Sequence, residues 1–296
     1  MSIPLLTKST TDSLKGIAIL MIVACHFVGG GFSYRLLTPL GGIGVSIFLF
    51  LSGYGLNESF KAKCLANFWK NKILRILLPC LIWSILFLPL SQILYDKIYW
   101  FHRYWFIEYI FLWYILFWFT KRFATRYSEY IMLLAAVISF FVFPNIRAEQ
   151  ALSFILGVIF SSHSDSFAKY QSHLFIIVAI VLLVCGLMCL GVKQLHFIRQ
   201  YGEESLLMKT CQLGIKLPIG LSVIILYSIF GKMLKLERFL RLFGILSLEI
   251  YLVHMVLCQY ISNSIKNLTI ILVLTIIGVF ILNTFNKYIY HRIHIN

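Results

Sequence analysis

Long stretches without a charged residue alternate with short polar segments along the whole chain. A helix needs roughly 20 apolar residues to cross a bilayer, and helices satisfy their own backbone hydrogen bonds in lipid. The pattern therefore predicts an all-α, polytopic transmembrane bundle of about ten helices. The uncharged stretches are 16–34, 36–57, 76–95, 174–192 and 267–286, and the weaker candidate spans are 104–120, 130–143, 150–162, 213–231 and 242–262.

The composition changes the class of protein that the chain can belong to. It is 60% hydrophobic and 12% charged, whereas soluble domains have about 25% charged residues. This excludes an ordinary soluble globule and a disordered chain. The net charge of +15 would suggest nucleic acid in a soluble protein, but no aromatic residues interleave a soluble basic patch. We expect no nucleic-acid partner, and the lipid bilayer is the expected environment.

The basic residues indicate an orientation. With ten spans and a cytoplasmic N-terminus, 17 of the 26 Lys and Arg residues lie on the inner side. The loop 57–75 alone holds five of them against one acid. This excess agrees with the positive-inside rule and predicts that both termini face the cytoplasm, N-in and C-in. Connections are short, so residues 1–296 are predicted to form a single integral membrane domain.

Ionisable side chains inside a span are unfavourable in lipid, so each is a candidate functional residue. Four stand out: His26, Glu108, Glu249 and His254. His26 follows Lys15 by a helical rise of ~16 Å and a rotation of ~1100°, so both share one helix face. A histidine near mid-membrane can act as a general base toward a hydroxyl. The alternative is a histidine that bridges helices by hydrogen bonds.

Glu108 lies near the outer end of its span, after the run Arg103-Tyr104-Trp105-Phe106. Three roles are open to its carboxylate. It can face water, pair with Arg103, or act beside His26. We include it with His26 among the catalytic candidates.

The second span is rich in small residues, from Gly41-Gly42-Ile43-Gly44 to Ser52-Gly53-Tyr54-Gly55. Small residues in a transmembrane helix allow another backbone to come close. They predict tight packing against the first span, which would also help to fix His26.

A pair of cations marks the start of the third span. Lys72 and Arg75 are three residues apart and are followed by Pro79. Two cations on one face beside a helix N-terminus form an anion site suited to phosphates. The alternative is anchoring to lipid headgroups. The chain has neither a Gly-x-x-x-x-Gly-Lys nor a Gly-x-Gly-x-x-Gly loop, so ATP and NAD chemistry have no support.

A polar stripe lies near the C-terminus. Ser247, Tyr251 and His254 are at i, i+4 and i+7 and therefore line one helix face, while Glu249 is ~140° from His254 and need not touch it. A stripe of this kind faces the bundle interior or a wet cavity. It can equally serve as a set of interhelical hydrogen bonds.

These motifs, taken in order, resemble those of the membrane acyltransferase-3 family. The opening helix has a basic residue, ten residues and then a histidine, as in Lys15 to His26. The resemblance continues with Gly-x-Gly-Val-x-x-Phe-x-x-x-Ser-Gly at 42–53, a basic-x-x-Arg at 72–75, Trp105-Phe106, and Ser-x-Glu-Ile-Tyr-Leu-x-His at 247–254. Residues 120–240 match only in hydropathy. The family more often has Arg where this chain has Lys15 and Lys72, and lysine lacks the bidentate guanidinium fork.

The resemblance implies an enzyme that transfers an acyl group, commonly acetyl, from cytoplasmic acetyl-CoA to a carbohydrate hydroxyl. His26 would be the catalytic histidine and Lys15 its basic partner. No metal and no permanently bound cofactor is expected, and acetyl-CoA is the donor substrate. The expected donor-binding residues are Lys72, Arg75, Ser52 and Asn57, and the expected supporting residues are Ser247, Glu249, Tyr251 and His254.

Two other classes of function remain open at this point. Intramembrane His and Glu residues also suit a transporter or flippase for polysaccharide units or small solutes, although no inverted repeat is evident. A structural or regulatory membrane subunit is the second. For the enzyme, we expect a multi-pass location in a bacterial plasma membrane. The expected partners are acyl-CoA, a carbohydrate acceptor, the bilayer, and either polysaccharide-biosynthesis proteins or a second copy in a homodimer.

Overall fold

The computed structural model describes residues 6–31, 37–95, 104–164, 172–257 and 265–294. These residues form helices joined by turns, without a strand among them, which confirms the all-α prediction for this part of the chain. A π-helical turn, Ile73–Leu77, precedes the fourth helix. The helices are α1 (Lys8–Gly31), α2 (Pro39–Lys63), α3 (Phe68–Lys72), α4 (Leu78–Tyr95), α5 (Trp105–Phe123), α6 (Ser128–Val142), α7 (Asn145–Ala148), α8 (Ser153–Ser162), α9 (Ser172–Gln194), α10 (His196–Arg199), α11 (Leu206–Phe230), α12 (Glu237–Ile245), α13 (Ser247–Leu257) and α14 (Ile265–His294).

Six of the described helices are long and apolar enough to cross a membrane. A seventh span arises if α12 and α13, which are bent by 69° relative to each other, are counted as one. The ten-span count and the N-in/C-in orientation stay predictions. The six are Lys8–Phe27, Pro39–Lys63, Thr125–Val142, His173–Gln194, Leu206–Phe230 and Thr269–His291.

Two of the weaker candidate spans have a different form in the structure. Within 150–162, α8 has ten residues, a rise of ~15 Å that is half of a ~30 Å hydrocarbon core. The run 242–262 is broken at Leu246, where α12 ends and α13 begins; residues 258–262 lie outside the described residues. Hydropathy alone gives no sign of the break, because the change of direction between α12 and α13 depends on how α12 packs.

Glycines set the position of α12 on the first helix. A Cβ added to Gly16 of α1 would overlap the Leu240 carbonyl oxygen, and one added to Gly244 of α12 would overlap that of Asp12. The two backbones are therefore in direct contact, which only residues without a side chain permit. Because of this contact, α12 lies beside the start of α1 and does not continue in the direction of α13.

The small residues of α2 contact two different helices. A Cβ on Gly44 would overlap the Ala18 carbonyl oxygen of α1, which confirms the tight packing predicted between the first two spans. Gly53 instead faces α8, where an added Cβ would overlap the Phe154 carbonyl oxygen, and Gly157 faces the Phe50 carbonyl in return. These crossings fix α2 between α1 and α8.

Buried polar contacts connect the start of α2 and the middle of α11 to the residues that follow α7. Glu149 and Lys216 form a buried ion pair. Gln150 Nε2 donates to the Gly42 carbonyl at 2.9 Å. A buried ion pair contributes little net stability when both charges must leave water, so its clearest effect here is to fix where α11 meets the start of α2.

Candidate active site

A large cavity of about 940 Å³ opens between α1, α2, α5, α12, α13 and the segment 64–76. We call it the main cavity. Of the residues predicted from the sequence, those that line it are Lys15, Ser52, Lys72, Arg75, Ser247 and Tyr251. Residues from both ends of the chain thus meet at one site, because α12 and α13 pack against α1.

Basic side chains surround one end of the main cavity. This end, which we call the mouth, lies where α1 begins, α2 ends and the segment leading into α4 passes. Asp12 is the one acidic residue among the described lining, and it is paired with Lys15 at 3.3 Å. The mouth therefore carries a large excess of positive charge. Its six cations are Lys8, Lys15, Lys63, Lys72, Arg75 and Arg241.

Three of these cations, Lys8, Lys63 and Arg241, were not among the sequence-predicted site residues. The sequence does place all three on its predicted inner side, so the charge pattern held the signal for their shared location. What it lacked was the contact of α12 with α1, which brings Arg241 to the mouth.

Lys72 lies against two aromatic rings at the mouth. Its Nζ lies 4.5 Å from the ring centroid of Tyr114 and 5.9 Å from that of Phe68. No carboxylate of the described residues lies within ion-pair distance of it. Burial, together with the nearby cations Arg75 and Lys15, lowers the pKa of Lys72 to about 8. A bound anion would relieve this repulsion.

Arg75 lies on the π-helical turn between α3 and α4. Such turns are rare, and they are frequent at functional sites because they change which way a side chain points. The Arg75 Nε donates to the Tyr290 hydroxyl of α14 at 3.2 Å, which leaves its remaining guanidinium donors available in the main cavity.

The depth of the main cavity is apolar and aromatic. Ile22, Phe48, Phe106 and Ile107 line it together with Tyr114. The side chains of Ser52 and Tyr114 are among the few that bring a polar group there. The site thus combines a cationic mouth with a deeper part that is mainly apolar.

Two histidines from opposite ends of the chain lie together beyond the deep wall. The rings of His26 and His254 have centroids 5.4 Å apart and are tilted by 54°. His26 is one helical turn beyond Ile22, which lines the cavity. Tyr251, another lining residue, contacts His254 with ring centroids 5.9 Å apart. The predicted stripe is therefore confirmed as one face, with Ser247 and Tyr251 in the cavity and His254 behind them.

His254 has a fixed arrangement of its ring nitrogens. Its side chain is fully buried, and Nδ1 donates to the Ile250 carbonyl at 2.7 Å. Because Nδ1 holds the proton, Nε2 is an acceptor in the neutral ring. Nε2 is buried without a hydrogen-bond partner among the described residues, so a proton acceptor lies beside His26.

Five predicted residues do not line the main cavity: the two histidines behind its wall, and Glu108, Asn57 and Glu249. Glu108 is ion-paired with Arg147 at 2.6 Å; Arg103, the partner in one of the three roles left open for it, lies outside the described residues. Asn57 is buried against α8, where its Nδ2 donates to Ser161 and Ser162 hydroxyls, each at 3.0 Å. Glu249 points toward α14 and accepts a hydrogen bond from Asn286 at 3.1 Å, in agreement with its predicted separation from His254.

Comparison with known proteins identifies one family. The acyltransferase-3 family model, described as an acyltransferase domain, matches residues 10–285, nearly the whole chain. No curated protein and no solved structure matches this chain.

Proposed function

The chain belongs to the acyltransferase-3 family and is a membrane acyltransferase, and we propose that it transfers an acetyl group from acetyl-CoA to a hydroxyl of a cell-surface or lipid-linked carbohydrate. The observation that carries the proposal is the cationic mouth that leads through an apolar channel toward the His26–His254 pair. Family membership favours this enzyme over the transporter, flippase and regulatory-subunit alternatives.

The charge pattern of the main cavity supports a CoA thioester as donor. CoA carries its negative charge on phosphates at one end and its acyl group at the other end of an uncharged pantetheine arm. Phosphates would bind Lys72 and Arg75, with Lys8, Lys63 and Arg241 nearby, since charge-assisted bonds to phosphate are strong. The arm would extend past Ser52 and Tyr114 into the apolar channel. This places the thioester toward Tyr251 and the histidines.

His26 is the proposed catalytic residue, and two chemical routes are open to it. As a general base, it takes the proton of the sugar hydroxyl while the oxygen attacks the thioester carbonyl; the C–S bond breaks and the proton passes to the CoA sulfur. As an acyl carrier, its nitrogen attacks the thioester carbonyl, the C–S bond breaks, and the CoA thiolate takes the proton that the acylated ring gives up. The sugar oxygen then attacks the acyl group, the C–N bond breaks, and the hydroxyl proton returns to the ring. Label from acetyl-CoA retained on His26 when acceptor is omitted would identify the second route.

The remaining site residues have supporting roles in this proposal. Lys15, salt-bridged to Asp12, adds positive charge at the start of the helix that carries His26. Glu108 would act near the acceptor side through its pair with Arg147. Asn57 holds α2 against α8 and would affect donor binding only by positioning that wall. The proposed location is the bacterial plasma membrane, with the cationic mouth on the cytoplasmic side.

Replacing both Lys72 and Arg75 with Ala should weaken donor binding by about 100-fold, because each charge-assisted hydrogen bond to phosphate contributes ~1.5–3 kcal/mol. Calorimetry with a thioether analogue of acetyl-CoA, which cannot transfer its acyl group, measures this on purified protein. Arg122→Ala is the matched control, since Arg122 is an exposed cation that does not line the main cavity. Equal affinity of the double variant and the control would refute the phosphate site.

Donor affinity should also fall as the pH rises through about 8. Burial beside Arg75 and Lys15 lowers the pKa of Lys72 to about 8, so the empty site loses this charge above that pH, and anion binding favours the charged form. In Lys72→Arg the guanidinium stays charged at pKa ≳ 12, so its affinity should be flat over the same range. Calorimetric titrations from about pH 7 to about pH 9.5 test this. If donor affinity declines in parallel in the wild type and in Lys72→Arg, a group other than Lys72 causes the pH dependence.

Gly55→Leu should block the channel without disturbing the fold. Gly55 lines the main cavity, and an added Cβ there meets no atom within 4 Å. The leucine side chain would occupy space that the pantetheine arm needs, and we expect donor affinity to fall by about tenfold or more, as for overpacking of ~1–3 kcal/mol. Thermal stability of the purified protein should be unchanged; unchanged donor affinity instead would place the arm outside this channel.

A further inference from the structure

A second cavity of about 450 Å³ lies on the other side of Arg75. It is formed by the start of α4, by α13, and by the C-terminal part of α14. Arg75 lines both cavities, and its hydrogen bond to Tyr290 spans the second one. The polar groups that line it include Arg75, Glu249, Asn283, Asn286, Lys287 and His291.

The charges of the second cavity suit a phosphodiester. The two basic side chains, Arg75 and Lys287, outnumber the single carboxylate, Glu249, which accepts a hydrogen bond from Asn286 Nδ2 at 3.1 Å. The other amide atom of Asn286, Oδ1, is buried and lacks a hydrogen-bond partner among the described residues. A headgroup with one negative phosphate and a hydroxyl or amine would satisfy the excess cation and this acceptor together.

α4 and α14 run antiparallel away from the second cavity. Leu78 of α4 and Asn283 of α14 both line it. Further along α4, Trp83 meets Gly278, which precedes Asn283 on α14; a Cβ at Gly278 would lie 3.7 Å from the Trp83 ring. The two helices therefore leave the cavity side by side, in the same direction through the bundle.

An exposed apolar stripe continues from the cavity along both helices. On α4, Leu81 and Ile85 lie one and two turns beyond the cavity and are 45% and 64% exposed. On α14, Phe280 and Ile276 lie one and two turns from Asn283 and are 72% and 69% exposed. A polar pocket that leads into an apolar stripe matches the shape and chemistry of an amphiphile.

We propose that the second cavity binds the phosphodiester headgroup of a membrane phospholipid, whose acyl chains lie along the stripe of α4 and α14. A free phosphate ester would satisfy the cations but would leave the stripe uncovered. The binding does not depend on the acyl-transfer reaction. It does connect to it, because Arg75 forms the wall between the lipid and the proposed donor.

The test is lipid binding by the purified full chain in detergent, measured by native mass spectrometry. The probes are phosphatidylglycerol, diacylglycerol with the same chains, and glycerol 3-phosphate. We expect one phosphatidylglycerol per chain and much weaker binding of the other two. Lys287→Ala should lower phosphatidylglycerol affinity about fivefold, as for loss of ~1 kcal/mol per basic residue, whereas Arg122→Ala should not.

Lys287 is exposed and lies outside the main cavity, so its substitution should leave folding and acyl transfer intact. Equal retention of lipid by Lys287→Ala and Arg122→Ala would overturn the proposal. Equal binding of diacylglycerol would reduce the site to an apolar groove, and tight binding of glycerol 3-phosphate alone would reduce it to a phosphate site. An inactive enzyme that still binds phosphatidylglycerol would refute the proposed function and leave this inference standing.

Discussion

The His26→Ala variant is expected to accumulate in membranes at the wild-type level and to show no measurable acyl transfer. Loss of a general base alone slows reactions by about 100-fold to 10 000-fold, and loss of an acyl carrier would remove the route altogether. His26 is only half-buried and forms no ion pair with a described residue, so the truncation leaves no described carboxylate unpaired. Acetyl-CoA consumption by the purified protein is the direct measurement.

His163→Ala provides the matched control for this experiment. His163 is exposed at the end of α8 and does not line the main cavity, so its removal makes the same chemical change away from the proposed site. Mass spectrometry of surface glycans from cells that carry either variant extends the test to the acceptor. Undiminished glycan acetylation with His26→Ala would remove His26 from the mechanism, even if the protein is an acyltransferase.

Gly53→Ala should destabilise the whole protein strongly although it adds one methyl group. The new Cβ would overlap the Phe154 carbonyl oxygen of α8, and a backbone atom can retreat only if the helix moves with it. Overpacking of this kind costs ~1–3 kcal/mol or more, and the contact between Gly157 and the Phe50 carbonyl would open at the same time. Thermal unfolding of the detergent-purified protein, followed by size-exclusion chromatography, measures the loss.

Gly55→Ala is a control on the same helix, two residues away. It makes the same substitution where an added Cβ meets nothing within 4 Å, and the higher helix propensity of Ala favours it by up to ~1 kcal/mol. We expect Gly55→Ala to unfold at or above the wild-type temperature. If both variants unfold alike, then α2 and α8 are not in direct backbone contact.

The sequence predicts much of the candidate site because its elements are local. Lys15 and Lys72 follow helical spacing and the charge pattern, and both line the main cavity. Ser247, Tyr251 and His254 share a face by periodicity alone, as the structure confirms. Local rules work here because a polar group in an apolar span is unfavourable against lipid and therefore faces the bundle interior.

What the sequence does not predict is which helix each residue meets. The contact of His26 with His254 joins residues at opposite ends of the chain, and no spacing rule reaches that far. Glu108 pairs with Arg147 on a short helix that hydropathy shows only as a gap between two apolar runs. Asn57 resembles a site residue by its position, yet α8 covers it. Each of these outcomes depends on helix packing, which composition and hydropathy do not encode.

The break at Leu246 is the clearest case of packing overriding pattern. Residues 242–262 read as one apolar run, with Glu249 the single interruption. In the structure, Gly244 rests on the backbone of α1, and the chain changes direction immediately after it. The same turn brings Arg241 and Ser247 to the main cavity. A property invisible to hydropathy thus creates part of the site.

The two sides of the mouth differ in how easily they can deform. On one side, α1 and α12 touch backbone to backbone at Gly16 and Gly244, with no side chain between them to yield. On the other, the chain passes through Cys64 and Asn67, both at positive φ, and then through the π-helical turn. We therefore expect any widening of the mouth to occur on this second side. Lys72 and Arg75 lie on that side, so the residues proposed to bind the phosphates would also set the width of the opening.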